Sequence, residues 1–125
     1  LPGGAHCAAN QVMYHLGCRG VEWDLLPFCR KHQVAVMAYS PVGRGRLLRD
    51  RHLSALAAEL GASTAQIALA WLLRQPGVSA IPKAASEAHV RDNRAAADLR
   101  LPASVLKQLE RSFPPPSGPT SLTML

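Results

Sequence analysis

Lys83 is the residue with the plainest chemistry open to it. It follows a short apolar run, Val78, Ala80 and Ile81, that stops at Pro82, and after Ala84 and Ala85 a helix can begin at Ser86. A strand that turns into a helix this tightly brings an ammonium to a helix N-terminus, where free N–H groups and the positive end of the macrodipole also attract anions. The economical reading is a phosphate site. A second anion-facing pattern is Ser40-Pro41-Val42-Gly43-Arg44-Gly45. Small residues let a backbone approach a pyrophosphate, and the guanidinium between the two glycines can pair with it bidentately; a glycine pair around an arginine is also what a plain turn looks like. Asn10 and Gln11 stand out in an otherwise apolar segment. An amide there either satisfies buried backbone or meets a ligand.

These groups need elements to hold them. Residues 7–14, 34–39 and 78–81 read as short apolar strands buried on both faces, as in a parallel sheet. Between them lie helical patterns. Residues 25–32 form one, with Asp24 as N-cap and Pro27 in the first turn. Leu53, Leu56 and Leu60 mark a second, closed by Gly61. Ser63-Thr64-Ala65-Gln66 is a capping box that opens a third, through Arg74, with Ile67, Ala70, Trp71 and Leu72 inward. A last amphipathic helix spans 101–113 and stops at Pro114-Pro115-Pro116. Strand–helix alternation predicts a parallel β/α arrangement whose ligands sit at the C-terminal ends of the strands, where Gln11, Tyr39, Arg44 and Lys83 are expected to fall.

Asn10-Gln11-Val12, Ala38-Tyr39-Ser40-Pro41, and Ile81-Pro82-Lys83 with Asn93 ten residues beyond the lysine, in that order, resemble three strands of the aldo-keto reductase family, enzymes that hold NADPH on a (β/α)8 barrel. The resemblance runs from about residue 8 to residue 116 and covers only the sixth to eighth strand–helix units. It implies an α/β fold, the C-terminal fragment of a TIM barrel with about three parallel units and a C-terminal helix. Residues 1–116 would be a partial oxidoreductase domain and 117–125 a flexible tail. The resemblance further implies that Gln11 hydrogen-bonds the nicotinamide carboxamide and that Tyr39 stacks on its ring. It places Ser40, Pro41, Gly43 and Arg44 in the cofactor-facing loop, and turns Lys83 toward the 2′-phosphate. Two positions depart from the pattern: His89 stands where many members carry a phosphate-clamping arginine, and Ala84 where serine is common. Arg91 cannot replace that arginine, because two residues along a helix turn it about 200° from His89, whereas Asn93 shares the His89 face. NADPH is the expected cofactor and NADH is not excluded.

Reduction of a small carbonyl substrate by NADPH needs an acid to protonate the developing alkoxide. The family uses a tyrosine tuned by an aspartate, a lysine and a histidine, all from strands ahead of the matched region. None has a counterpart here, so the catalytic set is expected to be absent and the isolated chain inactive; the alternative is a non-catalytic α/β module that binds nucleotide or a partner protein. Other classes fit less well. The net charge of +6 is scattered and aromatic content is 5%, which leaves few stacking platforms for nucleic acid. Cys7, Cys18 and Cys29, with His6, His15 and His32 nearby, offer no paired metal-ligand spacing; small buried thiols are expected instead. No stretch of about 18 apolar residues is present and no signal peptide is evident, so a cytoplasmic protein without a membrane partner is expected. Three strands cannot close a barrel, and self-association through exposed sheet edges is expected to follow.

Overall fold

Three parallel strands, β1 (Ala9–Met13), β2 (Ala35–Tyr39) and β3 (Val78–Ala80), form one sheet in the order β1-β2-β3 in the computed structural model, which describes residues 6–124. Ala9 pairs with Ala35 and Met13 with Tyr39, and β2 continues the ladder from Val36 opposite Val78 to Ala38 opposite Ala80. Consecutive strands that run parallel require crossovers, and helices supply them. α1 (Leu25–Lys31) joins β1 to β2, α2 (Arg51–Glu59) and α3 (Thr64–Leu73) join β2 to β3, and α4 (Glu87–Ala95) and α5 (Ala103–Ser112) follow.

The expectation of strands buried on both faces is corrected. Side chains alternate across a strand, and here Val12, Tyr14, Val36 and Ala38 enter the core while Ala9, Gln11, Ala35 and Ser79 are exposed on the other face. Eight strands close a barrel and bury both faces; three leave the inner face open. β1 and β3 are both edge strands among the described residues.

The core is built on α3. Its six residues from Ile67 to Leu72 are all buried, because the sheet, α2 and α4 surround it, so it is apolar on every side rather than amphipathic. Its capping box forms as the sequence predicts, with Ser63 Oγ accepting from Gln66 N–H at 3.1 Å and Gln66 Oε1 accepting from Ser63 N–H at 3.0 Å. α2 buries Leu53, Leu56 and Ala57 and begins at Asp50, whose carboxylate accepts the N–H groups of His52 and Leu53. α5 adds Val105 and Leu109 to the same core. Asp24 does precede α1, but its side chain makes no capping bond; its carbonyl instead accepts the Phe28 N–H at 2.9 Å. α4 has no buried residue.

A charged cluster ties the two ends of the described chain together. Arg19, after β1, is buried and grips Glu22 with two hydrogen bonds of 2.8 Å; its Nη1 also donates to Glu110 at 2.9 Å and to the Phe113 carbonyl. Its guanidinium lies 5.0 Å from the centre of the Trp71 ring, which Tyr14 meets edge-on. Burial alone would lower the Arg19 pKa, but Glu22 and Glu110 outweigh it and hold the group charged. Residues 114–124 form no helix or strand; Thr120 passes against Gly20, and Thr123 and Met124 reach the cleft at the strand ends.

The cysteines are not uniformly buried as expected. Cys29 is buried, and burial pushes its thiol pKa up, but Cys18 is half-buried and Cys7 exposed; all three are free. Among the described residues, no group of three or more His, Cys, Asp or Glu could hold a metal, and no single helix is long and apolar enough to cross a membrane.

Candidate functional site

The chain turns sharply where β2 ends. Ser40, Gly43, Arg44 and Gly45 all have positive φ, and the 43–45 segment is one short 3-10 turn. For Ser40 and Arg44 this region costs on the order of 1–2 kcal/mol each. Strain of that kind persists only where surrounding structure over-determines it, and it gathers at ligand clamps. Gly43 has a second constraint: a Cβ there would lie 3.3 Å from both His15 Cε1 and Leu47 Cγ, at φ +58°. Backbone and space together favour glycine at that point, and the loop closes one wall of a cleft of about 710 Å³. Met13, His15, Ser40, Arg44 and Arg46 line the cleft together with Met124 and with Asp50, whose carboxylate is occupied in capping α2. Two arginines and a strained, small-residue backbone facing one cleft suit a pyrophosphate.

His15 was not singled out for this cleft by sequence reasoning, although it lies just past β1. Its Nδ1 accepts the Gly17 N–H at 3.1 Å, which leaves Nε2 to carry the proton of the neutral ring. Burial first, and then the nearby Arg46 charge, lower its pKa from the ordinary 6.5. The unfolded chain therefore takes up this proton first as pH falls, so the His15 contribution to stability is full above pH 6.5 and is lost as pH drops through the folded value. His15→Asn, which can keep an acceptor for Gly17 N–H, is expected to flatten that acid-side decline in urea unfolding series between pH 7 and 5. An unchanged slope would mean that His15 does not titrate differently on folding.

The second part of the site begins where β3 ends. Ile81 N–H donates to the Ala38 carbonyl at 3.1 Å, extending the ladder one step, so the Pro82-Lys83 turn lies beside the Ser40 loop. Lys83 is exposed and takes part in none of the ion pairs among the described residues. Three residues on, Ser86 caps α4 by accepting the His89 N–H at 3.3 Å. The lysine and the helix N-terminus are adjacent, as the sequence implied. His89 is exposed and Asn93 half-buried, four residues apart on one face of α4. Arg91 is turned elsewhere and pairs with Glu87 at 2.6 Å.

Two other residues differ from expectation or complete it. Gln11 does not lie at the strand end: it is the central residue of β1, opposite Met37, exposed on the open sheet face two residues short of the rim. From there its amide faces the side that a complete barrel encloses. Tyr39 is the last residue of β2 and half-buried on the same face, opposite Met13; Pro41, just beyond it, is buried and stiffens the turn. The remaining tyrosine, Tyr14, is buried in the core. It donates to Glu22 Oε1 at 2.8 Å, and burial first and then that carboxylate push its pKa far above the ordinary tyrosine value, so it is no ready proton donor at the rim.

Parallel strands joined by helices, with an anion-suited rim at their C-terminal ends, define part of a parallel α/β fold, and comparison with known proteins gives the family. A profile described as the Aldo/keto reductase family matches residues 2–113. The methylglyoxal reductase YeaE of Escherichia coli K12 is 46% identical over 130 residues, covering 100% of this chain and 46% of that protein. Pyridoxine 4-dehydrogenase of the same organism is 44% identical over 78 residues, covering 62% of this chain and 27% of that one. In structure, an aldo/keto reductase from Klebsiella pneumoniae solved with NADP and acetate superposes with a TM-score of 0.94 at 48% identity, over 98% of this chain and 45% of that chain. This chain belongs to the aldo/keto reductase family. It corresponds to part of a TIM barrel and spans about half the length of the relatives it matches most fully.

Proposed function

We propose that this chain is the cofactor-holding part of an NADPH-dependent aldo-keto reductase that reduces a small carbonyl compound to an alcohol, and that it lacks the acid needed to complete the reaction alone. The observation that carries the reading is the meeting of Lys83, the N-terminus of α4 and the strained Ser40–Gly45 loop at adjacent strand ends. NADPH, when bound, supplies the hydride. The residues of this chain bind and orient. Lys83 and the α4 amides would hold the 2′-phosphate, with Asn93 and His89 on the next turn. Arg44 and the backbone from Ser40 to Gly43 would take the pyrophosphate, and Gln11 and Tyr39 on the inner face would fix the nicotinamide amide and ring. Tyr14 and Tyr39 are the only tyrosines in the chain. Neither is placed as an acid: one is buried against Glu22 and the other serves the cofactor face.

The test is direct. NADPH is expected to bind, read by its fluorescence, while added reactive aldehyde gives no NADPH oxidation above the uncatalysed rate. Turnover that persists in the Tyr14→Phe, Tyr39→Phe double variant would show that another group donates the proton; absence of NADPH binding would remove the reading altogether. The open β1 and β3 edges and the uncovered inner face carry a second expectation, self-association. Sedimentation velocity should show a mass that rises with concentration, and a monomer across a hundredfold range would refute it.

A further inference from the structure

α4 carries His89 and Asn93 and starts beside Lys83, yet none of its own residues is buried. A helix usually takes its orientation from an apolar face packed on the core. This one is exposed along its first five residues, including Val90, and only Ala96, just past its end, is buried. What touches it in the middle is polar. Ser63 Oγ donates to Asp92 Oδ2 at 2.8 Å, and Gln66 Nε2 donates to the Asp92 carbonyl at 3.3 Å. Ser63 and Gln66 are the two members of the capping box that begins α3, the most deeply buried helix of the fold. Each therefore works twice: it closes the N-terminus of a buried helix and grips one that has no buried residue of its own.

We propose that the Ser63–Gln66–Asp92 clamp is the positioning device that fixes the rotation of α4 and so aims His89, Asn93 and the α4 N-terminus at the cofactor phosphate. The proposal rests on the cofactor reading above. Rotating a helix by one residue sweeps its side chains through about 100°, so an α4 released from the clamp opens more often, re-forms without a fixed rotation, and loses the face that Asn93 and His89 share. Asp92 is a positioning residue through its link to α3. Its chemistry argues for a role of this kind, because aspartate is a poor helix former and a negative charge near the C-terminal end opposes the macrodipole.

That conflict makes the test sharp. Asp92→Ala improves both propensity and dipole, so an effect on local helix formation alone would tighten α4. If the clamp sets its orientation, amide hydrogen exchange in 87–95 should instead speed up several-fold in Asp92→Ala and in Ser63→Ala, while the amides of 67–72 in Asp92→Ala stay unchanged. NADPH affinity should fall about tenfold in Asp92→Ala and NADH affinity should stay within about twofold, because only the phosphate-facing element moves. Asp92→Asn, which retains an acceptor for Ser63, and Ser63→Thr, which retains the hydroxyl, should each recover most of the loss. Unchanged or slower exchange in 87–95 overturns the proposal, as does faster exchange with NADPH affinity unaltered. Equal loss for NADPH and NADH in Asp92→Ala also overturns it, since that is general destabilisation. An unmutated chain that binds neither dinucleotide overturns the cofactor reading instead, and the exchange result then judges the clamp by itself.

Discussion

Arg19→Ala is expected to cost about 3 kcal/mol or more of folding stability, because it removes the shared cation of a buried cluster and leaves its acceptors behind. Glu22 would lose both arms of a bidentate pair and Glu110 its shorter partner, the Phe113 carbonyl would lose its donor, and the Trp71 ring would lose the guanidinium 5.0 Å away. Arg19 is 6% exposed at its side chain and Glu22 16%, so water cannot readily compensate; Glu110, at 37%, can recover some solvation. The order of effects follows from those exposures. Arg19→Ala should exceed Glu22→Gln, and Glu110→Gln should cost least, on the order of 1 kcal/mol as for a partly screened pair. Arg19→Met restores apolar volume but still strands the carboxylates, so the Arg19→Met, Glu22→Gln double variant should be less destabilised than the two single losses added together. Urea midpoints at constant m-value would show this. If Arg19→Ala shifted the midpoint no more than Glu110→Gln does, the cluster would add little and the segment after β1 would be held to α5 by apolar packing alone.

That cluster also shows where reading the sequence stops. Features written in neighbouring residues were legible: the Ser63–Gln66 capping box, the Pro82-Lys83 turn into a helix capped by Ser86, and the glycine-bounded loop after β2 all have their causes within a few positions. Asp50 was legible too in principle, since an aspartate just before Leu53 and Leu56 is the N-cap pattern, and its two capping bonds confirm it. Arg19 was not. In sequence it is one arginine in a loop; what buries it is Glu110, 91 residues on. The same holds for Asp92, whose partner Ser63 precedes it by 29 residues, and for His15, whose burial depends on the Gly43 turn. Gln11 was legible as chemistry but not as a position. An apolar run looks the same whether a polar residue sits at its rim or its centre, and only the register with Met37 decides. The inner sheet face was misjudged for a related reason: composition suits burial on both sides, yet the strands that would cover that face are not among the three here.

Lys83→Ala is the second large effect and the sharpest probe of the rim. Its ammonium is exposed, unpaired among the described residues, and next to the start of α4, so removing it should disturb no internal bond. Any loss of affinity then reports on the ligand. A charge-assisted hydrogen bond to the 2′-phosphate contributes about 1.5–3 kcal/mol, and water screening at an exposed lysine argues for the lower end, about tenfold in Kd. NADH, which lacks that phosphate, should bind the variant almost as it binds the unmutated chain. Rising salt should shrink the NADPH advantage in the unmutated chain and have little left to act on in Lys83→Ala. His89→Arg works in the opposite direction. The helical face it shares with Asn93 would present a planar, bidentate cation at the turn after Ser86, and NADPH should tighten while NADH does not. Fluorescence titrations of both dinucleotides against both variants decide the matter. Equal losses for NADPH and NADH in Lys83→Ala, or no loss for either, would make Lys83 a solvated turn residue and move the phosphate site elsewhere.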